Sequence, residues 1–433
     1  MYDLAVIGGG WAGFNAALRA KEFNLKVCLI ESDKIGGTCL NQGCIPTKVL
    51  IACAKAFSLA KKSSVFGIEL ENLRFNFTKI QERKNKIVYQ LAQAMKAQLS
   101  GIDFIQSTAQ LVSPTEIKID GRLISAKFIL IATGSRSFQL TQLKFDKNKI
   151  ISSDQALGLP EIPPSLLIVG GGAIGCEFAS LFSILGSKVT LAEKMPHLLP
   201  GEDKDISRQI EVIFRKKAIE VITGVDVTTV GVQNYSRVLV CVGRVPNTAG
   251  LGLEELGGRL DNGRILVDDY LKTSVANIYA SGDCTSRVML AHYASYQGRI
   301  AVENMVSNNK YKADNFVVPA CIFTEPQISS VGFNEENAVD AGIPVKVHKF
   351  DFRASGMAWV IDEAQGFIKV ISNLETQEVI GASIIGPLAS ELIAIFSMAV
   401  SVHLTVSQIR AIIFAHPTLS ESIHEAVYDT PRL

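Results

Sequence analysis

Apolar and polar positions along this chain switch repeatedly between the strand period and the helix period. The opening run, Tyr2-Asp3-Leu4-Ala5-Val6-Ile7, ends in four consecutive apolar residues and reads as a strand buried on both faces. Gly8-Gly9-Gly10-Trp11-Ala12-Gly13 follows, then a helical pattern, then a second apolar run, Lys26-Val27-Cys28-Leu29-Ile30, ending at Glu31. The order returns later. Leu166-Leu167-Ile168-Val169 leads into Gly170-Gly171-Gly172-Ala173-Ile174-Gly175, a helix, and the strand Lys188-Val189-Thr190-Leu191-Ala192-Glu193. Between the two units a long polar helix is expected around Phe77–Leu99, followed by short strands to Ser135. Pro160, Pro163 and Pro164 mark a linker into the second unit. From about residue 315 the pattern changes to strands such as Phe367-Ile368-Lys369-Val370-Ile371. Two apolar helices come next, near Leu388–His403 and Val406–Ile413. Their apolar faces exceed what a small terminal domain needs, so a subunit interface is expected.

One run, Ser165 to Gly186, is apolar enough to suggest a membrane span, but its glycine cluster and Glu177 fit a buried strand, turn and helix better. The first strand starts at once with no charged leader, so a cytoplasmic protein is expected. At 433 residues, two to four domains are needed. A net charge of +1 gives no case for nucleic acid or a membrane surface. Eight cysteines in a chain this long are not a disulfide scaffold.

Both glycine clusters sit in the full context of a dinucleotide fingerprint: a strand before, a helix after, and an acid at the same spacing. Gly8, Gly10 and Gly13, with Glu31, form one site. Gly170, Gly172 and Gly175, with Glu193, form the other. Each acid is placed to bind a ribose hydroxyl pair. Glu193 suits a free 2′-hydroxyl and repels a 2′-phosphate, which favours NAD over NADP. Just after the first unit, Cys39 and Cys44 lie close enough in sequence to close a local disulfide if the geometry allows. Two dinucleotides and a redox disulfide suggest an electron chain, and the cysteines' position assigns FAD to the first unit and NAD to the second.

The segment Gly36-Gly37-Thr38-Cys39-Leu40-Asn41-Gln42-Gly43-Cys44-Ile45-Pro46-Thr47-Lys48 resembles the redox motif of the pyridine nucleotide–disulfide oxidoreductases, most of all their dihydrolipoamide dehydrogenase branch. Four stretches agree in order: Ile131–Ser135, Val242–Asn247, Ala280–Asp283 with Met289–His292, and His416–Glu421. The resemblance implies an α/β chain: FAD domain (1–147), NAD domain (148–245), a return to the FAD domain (246–314) and an α+β dimerisation domain (315–433). It implies that Cys39 exchanges with a dithiol substrate and Cys44 passes electrons to flavin. Lys48 would pair with Glu177 near the flavin's reactive nitrogen. His416, oriented by Glu421, would be the acid/base and reach the other subunit's cysteines. Lys48, Ala109, Thr133, Gly134, Ser135, Asp283, Met289, Leu290, Ala291 and His292 would join the FAD site, and Glu177 and Gly243 the NAD site. The implied partner is a lipoyl-bearing acyltransferase or carrier protein, and the implied assembly a homodimer.

Bland readings stand beside these. Thr418-Leu419-Ser420-Glu421 also reads as a capping box. Cys28, Cys176, Cys241 and Cys321 read as buried thiols, Cys284 as structural, and His292 as a core histidine that offers FAD mainly its backbone. No Cys/His cluster has zinc-like spacing. A glutathione- or mercury-type reductase is an alternative that Glu193 argues against. A flavin-binding interaction protein with a decayed NAD domain is another, because one departure is plain. Between Ile222 and Arg237 there is room for one short strand and a turn, so two or three strands of the family's antiparallel excursion are absent. The core strands remain, so NAD binding is expected to survive, with an exposed sheet edge.

Overall fold

A computed structural model describes residues 1–313 and 317–428. Strand β1 (Tyr2–Ile7), helix α1 (Trp11–Glu22) and strand β2 (Val27–Glu31) form the first unit where the apolar pattern places it. Helices α2 (Gly37–Asn41), α3 (Cys44–Lys61) and α4 (Phe77–Gln98) follow, then strands β3 (Asp103–Gln106), β4 (Gln110–Ser113), β5 (Glu116–Ile119) and β6 (Arg122–Ile131). β3, β2, β1 and β6 are neighbours in that order and run parallel. β6 is long enough to serve twice: its first half pairs antiparallel with β5, its second half parallel with β1. The central residues Leu4, Ala5, Val6, Leu29 and Ile129 are fully buried, as continuous apolar runs in a parallel sheet require.

The chain then leaves through β7 (Ser135–Ser137), β8 (Ile150–Ile151) and α5 (Ser153–Ala156). It builds a second unit of β9 (Ser165–Val169), α6 (Ala173–Ile184), β10 (Lys188–Ala192), α7 (Lys204–Lys216), β11 (Glu220–Ile222) and β12 (Arg237–Val240). This sheet is all parallel, in order β11-β10-β9-β12-β8. The apolar run over β9 and α6 is a buried strand and helix of this unit, as its glycines and Glu177 predict. Strand β13 (Arg244–Pro246) pairs back onto β7. Strand Ile278–Ala280 then joins β6, parallel, so the chain does return to its first sheet. Helix α8 (Ala291–Ser307) packs against α1, and a Cβ on Gly298 would collide with the carbonyl of Ala12, so only glycine permits this approach.

The segment between β11 and β12 corrects the expectation of a short strand. Residues 227–229 and 232–234 are single turns of 3₁₀-helix instead. Val225, Val227, Val230, Val232 and Tyr235 pack on the apolar face made by Leu167, Val169, Ala192, Val238 and Val240. The excursion is thus replaced by a strap that keeps this face from water. The short strand β11 is left as an edge.

The last sheet is antiparallel, its strands ordered Ala320–Ile322, Gln327–Gly332, Val379–Gly386, Phe367–Asn373, Val345–Asp351. The helix Ala389–Ser401 buries Leu392, Ile393 and Phe396 against it. The second apolar helix is shorter than expected, Val406–Arg410. Beyond it Ile413 is 97 % exposed, and Met398 and Val402 also face outward, so this element leaves an apolar face uncovered. The expected boundary at 314/315 lies outside the described residues.

Candidate active site at the junction of three sheets

The two fingerprints fold alike to the level of single hydrogen bonds. Gly8 and Gly170 take φ of +110° and +108°, open to glycine and strained for other residues. A Cβ on Gly13 would strike the Gly8 carbonyl, and one on Gly175 the Gly170 carbonyl. The second glycine of each set donates its backbone N–H to the acid: Gly9 to Glu31 Oε2 at 2.6 Å, and Gly171 to Glu193 Oε2 at 2.5 Å. The other carboxylate oxygen is held two residues on, Glu31 Oε1 by Asp33 N at 2.8 Å and Glu193 Oε1 by Met195 N at 2.7 Å. Each acid is fixed beside a helix N-terminus, ready for a ribose on one side and a pyrophosphate on the other.

Between the fingerprints lies one cavity of about 2020 Å³. That exceeds the roughly 300–1,000 Å³ of an ordinary small-molecule site and fits two dinucleotides. It is lined by Gly8, Gly10, Glu31, Cys39, Cys44, Lys48, Ala109, Thr133, Gly134, Ser135, Asp283, Met289, Leu290, Ala291 and His292. From the second unit come Gly170, Gly172, Glu177, Glu193 and Gly243. Gly13 and Gly175 serve behind the wall, as the packing glycines of their turns. A buried hydroxyl on the lining, Ser281 Oγ, has no hydrogen-bond partner among the described residues. A buried polar atom needs a partner, so this one fits a polar ligand such as a flavin dinucleotide.

Cys39 ends up on the short helix α2, and Cys44 is the first residue of α3. Both are free thiols hydrogen-bonded to each other, which is the dithiol form of the pair. The Cys44 thiol is lowered to about 7 because Cys39 donates to it, with Lys48 adding a positive charge. Cys39 is pushed up for the reciprocal reason, and burial adds to that. Cys44 is therefore the sulfur that carries the charge. Although the stretch 37–61 is apolar enough by composition to cross a bilayer, it is broken after Asn41 and holds both thiols against the cavity.

Lys48 Nζ lies 2.8 and 2.9 Å from the two oxygens of Glu177 on α6 and 4.5 Å over the ring of Phe323. Glu177, 8 % exposed, also accepts the Phe323 backbone N–H at 2.9 Å. One ion pair thus joins the two fingerprint units to the third sheet. Asp283 accepts from Ser135 Oγ at 2.6 Å, and Arg244 donates to Ser135 Oγ and O at 2.8 Å each. His292 is exposed rather than a core histidine, and its Nε2 lies 2.8 Å from Pro319 O.

Phe323, Arg244 and Trp11 are lining residues that the sequence analysis did not single out. Two expectations need correcting. Cys241 and Cys321 are only half-buried and line the cavity. The capping box at Thr418 forms only in half: Glu421 Oε2 accepts from Thr418 N at 2.8 Å, but Thr418 Oγ1 turns to Ala415 O and the helix starts at Glu421. His416 Nδ1 is 2.8 Å from Glu421 Oε1, and its ring is 82 % exposed and off the cavity wall. Glu421 is held below its ordinary value by the Thr418 N–H first and His416 second.

Fold and cavity define a two-dinucleotide oxidoreductase with a dithiol between its nucleotide sites. Residues 2–298 match the pyridine nucleotide-disulphide oxidoreductase family, and residues 318–427 match that family's dimerisation domain. The chain belongs to the pyridine nucleotide-disulphide oxidoreductase family, whose cofactors are FAD and NAD(H). It is 38 % identical to a dihydrolipoyl dehydrogenase of Chlamydia pneumoniae over 97 % of this chain and 95 % of that one. It is 36 % identical to one of Bacillus subtilis, over 98 % and 97 %. Among solved structures it is similar to LpdA from Mycobacterium tuberculosis (TM-score 0.89, 29 % identity, 98 % of both chains). It is also similar to the HOCl-induced flavoprotein disulfide reductase RclA from Escherichia coli (TM-score 0.88, 30 % identity, 98 % of this chain and 99 % of that one).

Proposed function

We propose that this chain is an FAD-containing, NAD-dependent dihydrolipoamide dehydrogenase, in which Cys39 exchanges with substrate and Cys44 faces the flavin. The observation that carries it is the Cys39–Cys44 dithiol held between two fingerprints, each with its acid fixed by backbone N–H groups. The identity to dihydrolipoyl dehydrogenases over nearly the whole chain supports it.

The residues divide the work as follows. With the pair oxidised, a substrate thiol gives its proton to His416 and attacks Cys39 Sγ. An S–S bond to Cys39 forms, the Cys39–Cys44 bond breaks, and Cys44 leaves as the thiolate that Lys48 favours. His416 passes that proton to solvent and takes the proton of the second substrate thiol, whose thiolate then attacks the mixed disulfide. The cyclic disulfide departs and Cys39 is released with the electron pair. FAD and NAD⁺, when bound, supply the two-electron path that re-oxidises the pair. Glu421 fixes the His416 tautomer and stabilises its protonated form. The exposure of His416, away from its own chain's cavity, supports a homodimer in which it serves the partner's thiols. The division into FAD (1–147 and 246–314), NAD (148–245) and dimerisation (315–433) domains belongs to the same reading. So do a lipoyl-bearing acyltransferase or carrier protein as partner and a cytoplasmic location.

Anaerobic mixing with dihydrolipoamide and NAD⁺ tests it. NADH should form, NADP⁺ should replace NAD⁺ poorly, and Cys44→Ser should abolish turnover. A flavin-loaded protein with no turnover would sink the proposal. Mixed dimers of Cys44→Ser and His416→Gln subunits, each inactive alone, should regain about a quarter of wild-type activity if the site is shared.

A further inference from the structure

Trp11 is the fingerprint residue that no nucleotide contact requires, and it is the first residue of α1. Its backbone is held firmly. The Trp11 carbonyl accepts from Asn15 Nδ2 at 2.9 Å, and Asn15 is in turn tied to Ser295 and to Arg299 at 3.1 and 2.8 Å. On the other side the chain cannot be closer to the redox motif. A Cβ on Gly37 would lie 2.8 Å from Gly10 Cα, so the residue before Trp11 touches the start of α2, the helix that carries Cys39. The indole lines the cavity together with Cys39, on which it acts. Its Nε1 is buried and has no acceptor at full hydrogen-bonding geometry, and the Cys39 sulfur is a group whose ionised form it favours through a side-chain hydrogen bond. A buried N–H without an acceptor is costly, and such a group in a reaction site points to a partner present at another stage.

We propose that Trp11 is a positioning residue for the exchange thiol: its indole N–H is the donor reserved for Cys39 Sγ when that sulfur carries negative charge. This rests on the reading of Cys39 as the exchange thiol. That charge arises when Cys39 is released from the mixed disulfide, a moment when a fixed donor lowers the barrier without reorganisation. The electrostatics agree: Cys44 and burial raise the Cys39 thiol, whereas Trp11 acts in the opposite sense.

Cys44→Ala holoenzyme leaves Cys39 without its sulfur partner, and iodoacetamide then reads its ionisation. The thiolate displaces iodide and forms a thioether, so the alkylation rate follows the thiolate fraction. Adding Trp11→Phe should move the pH midpoint of Cys39 alkylation up by about one unit, or roughly tenfold slower alkylation below both midpoints, with FAD content unchanged. An unmoved midpoint would overturn the proposal. So would a loss of FAD with the midpoint unmoved, which would give the donor to the dinucleotide. Peptide mapping that puts the label elsewhere than Cys39 would instead overturn the exchange-thiol reading and the proposal with it. Because the chain has two tryptophans, Trp359→Phe leaves Trp11 as the sole indole. In the Cys44→Ala/Trp359→Phe holoenzyme, indole emission should change with the same midpoint as alkylation. A flat emission across that range would contradict the assignment.

Discussion

Two sulfurs of identical chemistry are made unequal here by what surrounds them. Cys44 receives the hydrogen bond from Cys39, sits at the N-terminus of α3 and has Lys48 nearby, so its thiol falls to about 7. The sign of the pH dependence follows. In the reduced holoenzyme the long-wavelength thiolate–flavin band should be full well above pH 7 and fade as the pH falls through about 7, read by absorbance. Lys48→Met should move that midpoint upward. The pair itself was legible in the sequence, because a redox disulfide needs two cysteines at short spacing. The inequality was legible only in part: the helix after Cys44 could be read, but Phe323 under Lys48 and its N–H on Glu177 come from far along the chain. Arg244, which braces Ser135 and Asp283, lay inside a motif and still showed no sign of that contact.

At the scale of elements, the two nucleotide units were legible because their chemistry constrains every position: a buried strand, glycines where Cβ atoms cannot fit, and an acid at one spacing. The strap over residues 224–236 was not. Its valines at near-alternate positions suggest a strand. Yet they are spent on covering the face of a sheet already made by β9, β10 and β12 rather than on extending its edge at β11. The consequence is testable. Val230→Ser with Val232→Ser removes apolar contacts worth about 2 kcal/mol in all, measured by denaturant unfolding, while FAD content stays constant. Loss of FAD with unchanged stability would show that the strap does something other than cover the sheet.

In the whole molecule, the NAD unit and the third sheet are joined by a buried cluster that no local pattern announces. Lys369, 4 % exposed on its strand, reaches Asp203 at 2.8 Å, Glu335 at 2.7 Å and Asp205 at 3.3 Å. Asp203 caps α7, so the cluster fixes that helix to the C-terminal sheet. Lys369→Met would leave the buried Asp203 carboxylate uncompensated, while the part-exposed Asp205 and Glu335 stay solvated, and should cost about 3 kcal/mol. Burial pushes Asp205 up, but Lys369 and Lys349 outweigh it and hold its carboxyl below the ordinary value. Its contribution is therefore present at neutral pH and lost as the pH falls through the lowered value, and Lys369→Met should flatten that acid-side loss in thermal unfolding. Such joints hold the cavity between three sheets, and the central claim is that a thiol pair passes electrons within it. Anaerobic titration of the holoenzyme with dihydrolipoamide, followed by absorbance, tests that most directly. Two electrons per subunit should produce the long-wavelength thiolate–flavin band before the main flavin band bleaches, and NAD⁺ should then discharge it with equimolar NADH. Direct bleaching with no long-wavelength band, or a band that NAD⁺ leaves in place, would contradict the account.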